Sequence, residues 1–358
     1  MSLFIDADAH VIENEQTWEF MAEEDRHLAP DLLVSQSTGL RYWRIDERVV
    51  PNTNIGLNTS AESRELVNVG ARIAHMDELS VDIQVIYPTM FLRPLTARGD
   101  VERALCRAYN RWLAEIWKQG GGRLRWVVVA PLRSMDQAIE EIHFGKEHGA
   151  CGVFMRGIEG GRLLSDDTLF PIYREAGDLD IPICVHAGGG SFDHYDLFLQ
   201  DTFARFKLST VGAFNNLIYK GVPDKFPDLR WCFVESTSQW VPYALNDLMI
   251  RTQAELAFRR KHADNALAAV RGAPRELANG NLLKENRIYV ACQTTDDLSY
   301  VLEYAGEDNI IVGTDYGHAD YSNDMEAIAK LSKDGVLAGG VADKILSENP
   351  ARLYGLQD

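Results

Sequence analysis

Eight short apolar runs punctuate the chain, near residues 3–9, 81–87, 124–130, 150–156, 181–187, 230–236, 287–293 and 309–315. Segments with helical period separate most of them. Strands that are apolar on both faces and alternate with helices imply a parallel sheet covered by helices. Eight such units within 358 residues predict an α/β fold, a (β/α)8 TIM barrel, over an open doubly wound sheet. The absence of repeats, low-complexity tracts and linkers predicts one domain over residues 1–358, with an inserted segment after strand one at about 11–80. Inside that insertion, Leu40–Ile45 and Val49–Val50 read as a hairpin turning through Asp46-Glu47-Arg48. Val101 to Lys118 reads as a helix with apolar positions Ala104, Leu105, Ala108, Trp112, Leu113 and Ile116. A second helix opens at Ser134, with Gln137 placed to complete a capping box. Residues 244–273 read as a long helical region.

A barrel of this kind keeps its active site at the C-terminal ends of the strands. Three of the runs carry or lead into candidate metal ligands there. Asp8 and His10 are two apart, so in a strand both side chains leave the same face. The run Ile181–Val185 leads into His186, and Ile310–Thr314 leads into Asp315. A lone strand-end His or Asp is more often a satisfied polar residue than a ligand. Four of them at the ends of three strands point instead to one divalent cation.

The formal net charge of −17 argues against nucleic acid and anionic membrane surfaces as partners, and leaves a small anionic substrate open. No run approaches the ~18 apolar residues of a membrane span. Residues Met1–Asp6 lack the basic and apolar regions of a signal peptide. The five cysteines, Cys106, Cys151, Cys184, Cys232 and Cys292, form no C-x-x-C pair and read as buried thiols. The expected location is the cytoplasm.

Longer motifs add a resemblance. Ile5–His10, His75–Asp82, Val185–Gly189, Phe233–Ser236, Gly313–His318 and Glu348–Tyr354 occur in an order and spacing that resemble the amidohydrolase family, in its 2-amino-3-carboxymuconate-6-semialdehyde decarboxylase-like group. The resemblance implies a distorted barrel and one divalent metal ion, Zn2+ or Mn2+, held by Asp8, His10, His186 and Asp315. It implies a decarboxylase of an aromatic or conjugated unsaturated carboxylic acid, with Asp315 delivering a proton to carbon. The alternative is a hydrolase of a C–N, C–O or C–C bond that uses metal-activated water. It further implies a small-molecule carboxylic acid as partner and assembly into a homodimer or homotetramer. Two departures stand out: Asp8-x-His10 replaces the common His-x-His, and Glu235 stands where many relatives carry a His, which makes it a second candidate catalytic residue.

Further residues invite a role. Arg156 could clamp a substrate carboxylate or serve a structural ion pair. His318 could face substrate or cap a following helix. Glu13 could orient His10 or be an ordinary loop acid. His194 lies where a substrate contact is conceivable, and Gly188–Gly190 would allow a ligand close to the backbone. Trp43, Phe91, Trp240 and Tyr316 are candidate pocket aromatics. No Gly-x-Ser-x-Gly elbow is present.

Overall fold

The computed structural model describes residues 3–261, 277, 280–333 and 336–356. β1 (Ile5–Val11) opens the chain. A small antiparallel sheet follows, made of β2 (Asp31–Val34), β3 (Arg41–Ile45) and β4 (Arg48–Pro51). The chain then lays down β5 (Ile83–Pro88), β6 (Leu124–Val129) and β7 (Ala150–Arg156). A two-stranded ribbon, β8 (Ile158–Glu159) with β9 (Arg162–Leu163), decorates the end of β7. β10 (Ile183–His186), β11 (Trp231–Val234), β12 (Ile288–Cys292) and β13 (Ile310–Val312) complete the set.

Eight of these strands form one parallel sheet in the order β1-β5-β6-β7-β10-β11-β12-β13. The residues just after β13 close it onto β1: Ala9 bridges Tyr316, the Asp315 amide donates to Asp8 O at 2.9 Å, and the His10 amide donates to Tyr316 O at 2.9 Å. The closed parallel barrel is the predicted fold, and its closure sets Asp315 beside Asp8 and His10. β1 runs two residues beyond its predicted end, so both motif residues lie within the strand. All seven residues of β1 are buried, three of them polar. Such burial is stable only if each polar group finds a partner.

The helix predicted over Val101–Lys118 spans Gly99–Gln119 and buries all six predicted apolar positions. The helix at Ser134 spans Met135–Glu147, but the expected capping box does not form. The Ser134 hydroxyl caps nothing, and its amide already donates to Pro131 O at 3.0 Å, which leaves Gln137 no group to reach. The hairpin is present with a tighter turn. Arg48 belongs to β4, pairing with Ile45, and Asp46 takes φ 54° to make the reversal. β2 was not anticipated; its alternation is weak and most of it is exposed. The long helical region spans Val241–Lys261, and the expectation for 262–273 lies outside the described residues. Among the described residues no helix is long and apolar enough to cross a membrane. All five cysteines are free and buried, four of them in barrel strands.

Candidate metal centre

Barrel closure brings His10 into two overlapping groups of donors, one with Asp8 and His186 and one with Glu235, Asp315 and His318, each with its donor atoms within 4.8 Å of one another. His10 and His186 face each other with their Nε2 atoms 3.1 Å apart. Asp8 Oδ1 lies 3.5 Å from the first and 3.4 Å from the second. Glu235 Oε2 lies 3.6 and 3.3 Å from them, and Asp315 Oδ1 lies 3.5 Å from His10 Nε2. These are the spacings of neighbouring donors around one ion bound at about 2.0–2.2 Å.

The hydrogen bonds around the cluster decide what belongs there. His10 Nδ1 lies 3.2 Å from Pro88 O, and His186 Nδ1 lies 2.8 Å from Ala187 O. A carbonyl only accepts, so both imidazoles carry their proton on Nδ1 and turn bare Nε2 lone pairs toward each other. Two facing lone pairs repel unless a cation or proton lies between them. The carboxylates have the same need. Asp8 Oδ1, Glu235 Oε2 and both oxygens of Asp315 are buried without a hydrogen-bond partner. Such a collection of unsatisfied donors is what a bound cation would satisfy. Three carboxylates and two imidazoles suit a hard-to-borderline divalent ion.

His318 adds a sixth candidate. The Thr89 hydroxyl donates to Val11 O at 2.8 Å, so at its 2.8 Å contact with His318 Nε2 it accepts. His318 Nδ1 is therefore bare. It lies 2.7 Å from Asp315 Oδ1 without hydrogen-bond alignment, so a distance short enough for an ion pair leaves both atoms unsatisfied. The His318 ring stacks on His10 at 3.7 Å between centroids.

Backbone strain supports the arrangement. Glu235 and Asp315, each just past a strand end, take φ 57° and 52°. Left-handed backbone at a non-glycine residue costs about 1–3 kcal/mol and collects at functional sites. The turn swings each carboxylate inward from β11 and β13.

Without a cation the cluster shares its charges unevenly. Burial opposes the charge of His10, but contact with Asp8 and Glu235 outweighs it and pushes the imidazole up to about 9. Burial likewise opposes ionisation of Asp8, and His186 and His10 outweigh it, holding the carboxyl below its ordinary range. Asp315 goes the other way. Burial, then repulsion from Glu235, Asp320 and Asp8, raises it well above the ordinary carboxylate value. Burial also raises Glu235 and drives His318 well below the usual histidine value.

Other candidates fall elsewhere. The Arg156 guanidinium is engaged by Glu159 at 2.5 Å and by the carbonyls of Phe91 and Arg93 at 3.1 and 3.0 Å. It lines a cavity of about 300 Å³ whose walls include none of the metal donors. Glu13 is buried and accepts from the amides of Thr89 and Met90 at 3.1 and 2.9 Å, so it shapes the end of β5; the partner of His10 Nδ1 is Pro88 O. His318 caps no helix and is fully buried; the next helix begins at Ala327. His194 contacts Arg205 O at 3.2 Å, outside the donor cluster. The Gly188–Gly190 run accommodates protein: a Cβ on Gly188 would meet Leu92 O at 2.8 Å, and one on Gly190 would strike Ile158 O. Tyr316 is buried behind the centre, its hydroxyl 2.7 Å from His75 Nδ1 and its ring under the Arg72 guanidinium. Trp43 packs edge-on against Trp18, Trp240 packs on Phe214, and Phe91 lines the Arg156 cavity.

Sequence reasoning missed Asp6 and Thr89. Asp6 accepts from Thr314 N, Thr314 Oγ1 and Gln84 Nε2 at 2.8, 2.6 and 2.9 Å, and so ties β1 to β5 and to the end of β13. Thr89 follows directly after β5, and the strand-end rule that found His186 would have found it.

The sequence pattern of the family described as Amidohydrolase matches residues 5–356. The 2-amino-3-carboxymuconate-6-semialdehyde decarboxylase of Dictyostelium discoideum is 22% identical over 259 residues, 68% of this chain. The chain spans 65% of that relative's length. A crystal structure of an amidohydrolase from Mycobacterium avium subsp. paratuberculosis superposes with a TM-score of 0.76 at 18% identity, covering 99% of each chain. That of 5-carboxyvanillate decarboxylase from Novosphingobium aromaticivorans, complexed with manganese and 4-hydroxy-3-methoxy-5-nitrobenzoic acid, superposes with a TM-score of 0.72 at 20% identity, covering 99% of this chain and 96% of the other.

Proposed function

The chain belongs to the amidohydrolase family, and on that premise we propose that it is a metal-dependent decarboxylase of an aromatic or conjugated unsaturated carboxylic acid. One observation carries the reading: Asp315, buried with neither oxygen hydrogen-bonded, is grouped with His10, Glu235 and His318, and this group shares His10 with the donors Asp8 and His186. The manganese and aromatic acid bound by the Novosphingobium enzyme support the same chemistry here.

Asp8, His10, His186 and Asp315 would hold the cation, with Glu235 as a further donor. When bound, the cation supplies positive charge that anchors the substrate carboxylate and draws electron density from the bond to be broken. Three carboxylates favour Mn2+ over Zn2+. The rest falls to the protein. The bond between the ring or chain carbon and the carboxyl carbon breaks, CO2 departs, and the electron pair stays on carbon. Asp315 gives its proton to that carbon, forming the new C–H bond. A proton donor at carbon must be protonated when the substrate arrives; burial beside Glu235 and Asp8 favours that state, and the bound cation would oppose it. His318, neutral and with Nδ1 bare, lies 2.7 Å from Asp315 Oδ1, within reach of the proton that Asp315 would carry. The enzyme acts as a single domain, with residues 11–80 as an insertion, and assembles into a homodimer or homotetramer.

The hydrolytic alternative rests on Glu235, an unpartnered carboxylate that could take a proton from water. CO2 release from a panel of hydroxybenzoic and conjugated unsaturated acids, run in D2O with Mn2+-reconstituted protein, separates the two. Decarboxylation yields CO2 and one deuterium at the vacated carbon. A fully metallated protein that releases no CO2 from any acid, yet cleaves an amide or lactone, overturns the reading.

A further inference from the structure

A turn of π-helix, Phe203–Leu208, lies across the strand ends beside the donor cluster. It is stitched down on both sides. Gly188 N donates to Phe206 O at 3.1 Å, and the Ser209 and Thr210 hydroxyls donate to Gly188 O and His186 O at 2.9 and 3.2 Å. A π-turn holds one residue more than a regular turn and re-aims the side chains around it, often at functional sites. Here it brings Lys207 to Ser322, whose hydroxyl accepts from the Lys207 ammonium at 3.3 Å. Ser322 lines the small void beside the cluster, together with Asp8, Glu235, Asp315 and Gln293.

Lys207 is half-buried and forms no ion pair among the described residues. An ammonium carries three donors, and only one is engaged, by a neutral hydroxyl. Lysines that merely stabilise a surface pair with nearby acids, as Lys330 does with Asp324 at 2.8 Å and Lys344 with Glu307 at 2.7 Å. Lys207 instead stands one hydrogen bond, through Ser322, from a void of about 10 Å³ walled by Asp8, Glu235 and Asp315. An anionic substrate drawn toward these acids needs positive charge besides that of the metal.

We propose that Lys207 receives an anionic oxygen of the substrate at the end away from the metal. It is thereby a specificity-determining residue for acids that carry a second anionic group. This inference rests on the decarboxylase reading for the identity of the bound acid.

The test uses full-length, Mn2+-reconstituted protein with two probes, 5-carboxyvanillate, which bears two carboxylates, and vanillate, which bears one. Dissociation constants are measured for wild type, Lys207→Met and Lys207→Arg, with CO2 release and the thermal midpoint read on the same samples. Lys207→Met is expected to weaken 5-carboxyvanillate about ten- to a hundredfold, the worth of one charge-assisted hydrogen bond. Vanillate binding and the midpoint stay unchanged, and Lys207→Arg regains most of the loss. Equal binding of both acids before and after substitution overturns the assignment. So does equal weakening of both with a lowered midpoint, which marks a structural role, and so does a wild type that binds neither acid. The two claims fail separately. The expected split without CO2 release from any acid removes the decarboxylase reading and keeps Lys207, while CO2 release without the split does the reverse.

Discussion

β1 carries two buried polar clusters one turn of the pleat apart, and they are treated in opposite ways. Around Asp6 the bonds are closed: both oxygens accept from Thr314 or Gln84, and Arg72 bonds Gln84 and His10 O. Around Asp8 and His10 the bonds stay open on the inner side: four carboxylate oxygens lack partners, and the two imidazole Nε2 atoms meet only each other. Both sites are equally dry, so burial does not distinguish them. The closed cluster ties three parts of the barrel together, and the open one is the cation site proposed above. Satisfied polar groups are the rule in protein interiors, and a concentrated exception marks a binding site.

The largest expected effect lies in the open cluster. Asp315→Asn removes the transferable proton and should lower CO2 release by about 10²–10⁴, the usual span of general acid catalysis. Measuring metal content alongside separates a lost proton from a lost ion. Next comes the closed cluster. Asp6→Ala should destabilise the metal-free protein by about 3–5 kcal/mol, since it strands the buried donors of Thr314 and Gln84. Asp315→Asn should leave that stability unchanged or higher, because neither Asp315 oxygen has a hydrogen-bond partner and burial beside Glu235 and Asp8 already disfavours its charge. Equal losses from both substitutions, in urea unfolding, would erase the distinction between the clusters.

A smaller effect concerns pH. Burial pushes the Glu13 carboxyl up to about 7 from 4.5, against the pull of its backbone amide donors. Between those values the unfolded chain has lost its proton while the folded protein keeps it. Stability from this group therefore falls as pH rises, by up to about 1.4 kcal/mol per pH unit. Glu13→Gln should flatten the stability profile across that window, and an unchanged slope would show that another group is responsible. The smallest effect is at Ser134. Its hydroxyl caps nothing, so Ser134→Ala should shift unfolding by less than about 0.5 kcal/mol, where a working N-cap would cost about 1.

Most of the barrel was legible because its strands are apolar on both faces and its helices keep a 3.6-residue period. Asp8, His10, His186 and Asp315 were legible because strand-end position is a local property of the sequence. What sequence pattern could not supply was partnership. Arg156 looks free until Glu159 folds back onto it through the β8–β9 ribbon. Glu13 looks like an orienting acid until the Thr89 and Met90 amides claim it. The Gly188–Gly190 run suggests space for a ligand until Leu92 and Ile158 fill it. Lys207 meets Ser322 across a π-turn and 115 residues of sequence, which no periodicity records.

The unpartnered cluster on β1, β10 and the exits of β11 and β13 should bind one divalent cation. Mn2+ content after reconstitution and exhaustive dialysis, for wild type, Asp8→Ala and Asp6→Asn, tests it most directly. One ion per chain is expected in wild type, close to none in Asp8→Ala, and an ion retained in Asp6→Asn. A wild type that holds no ion, or an Asp8→Ala variant that holds as much as wild type, would contradict it.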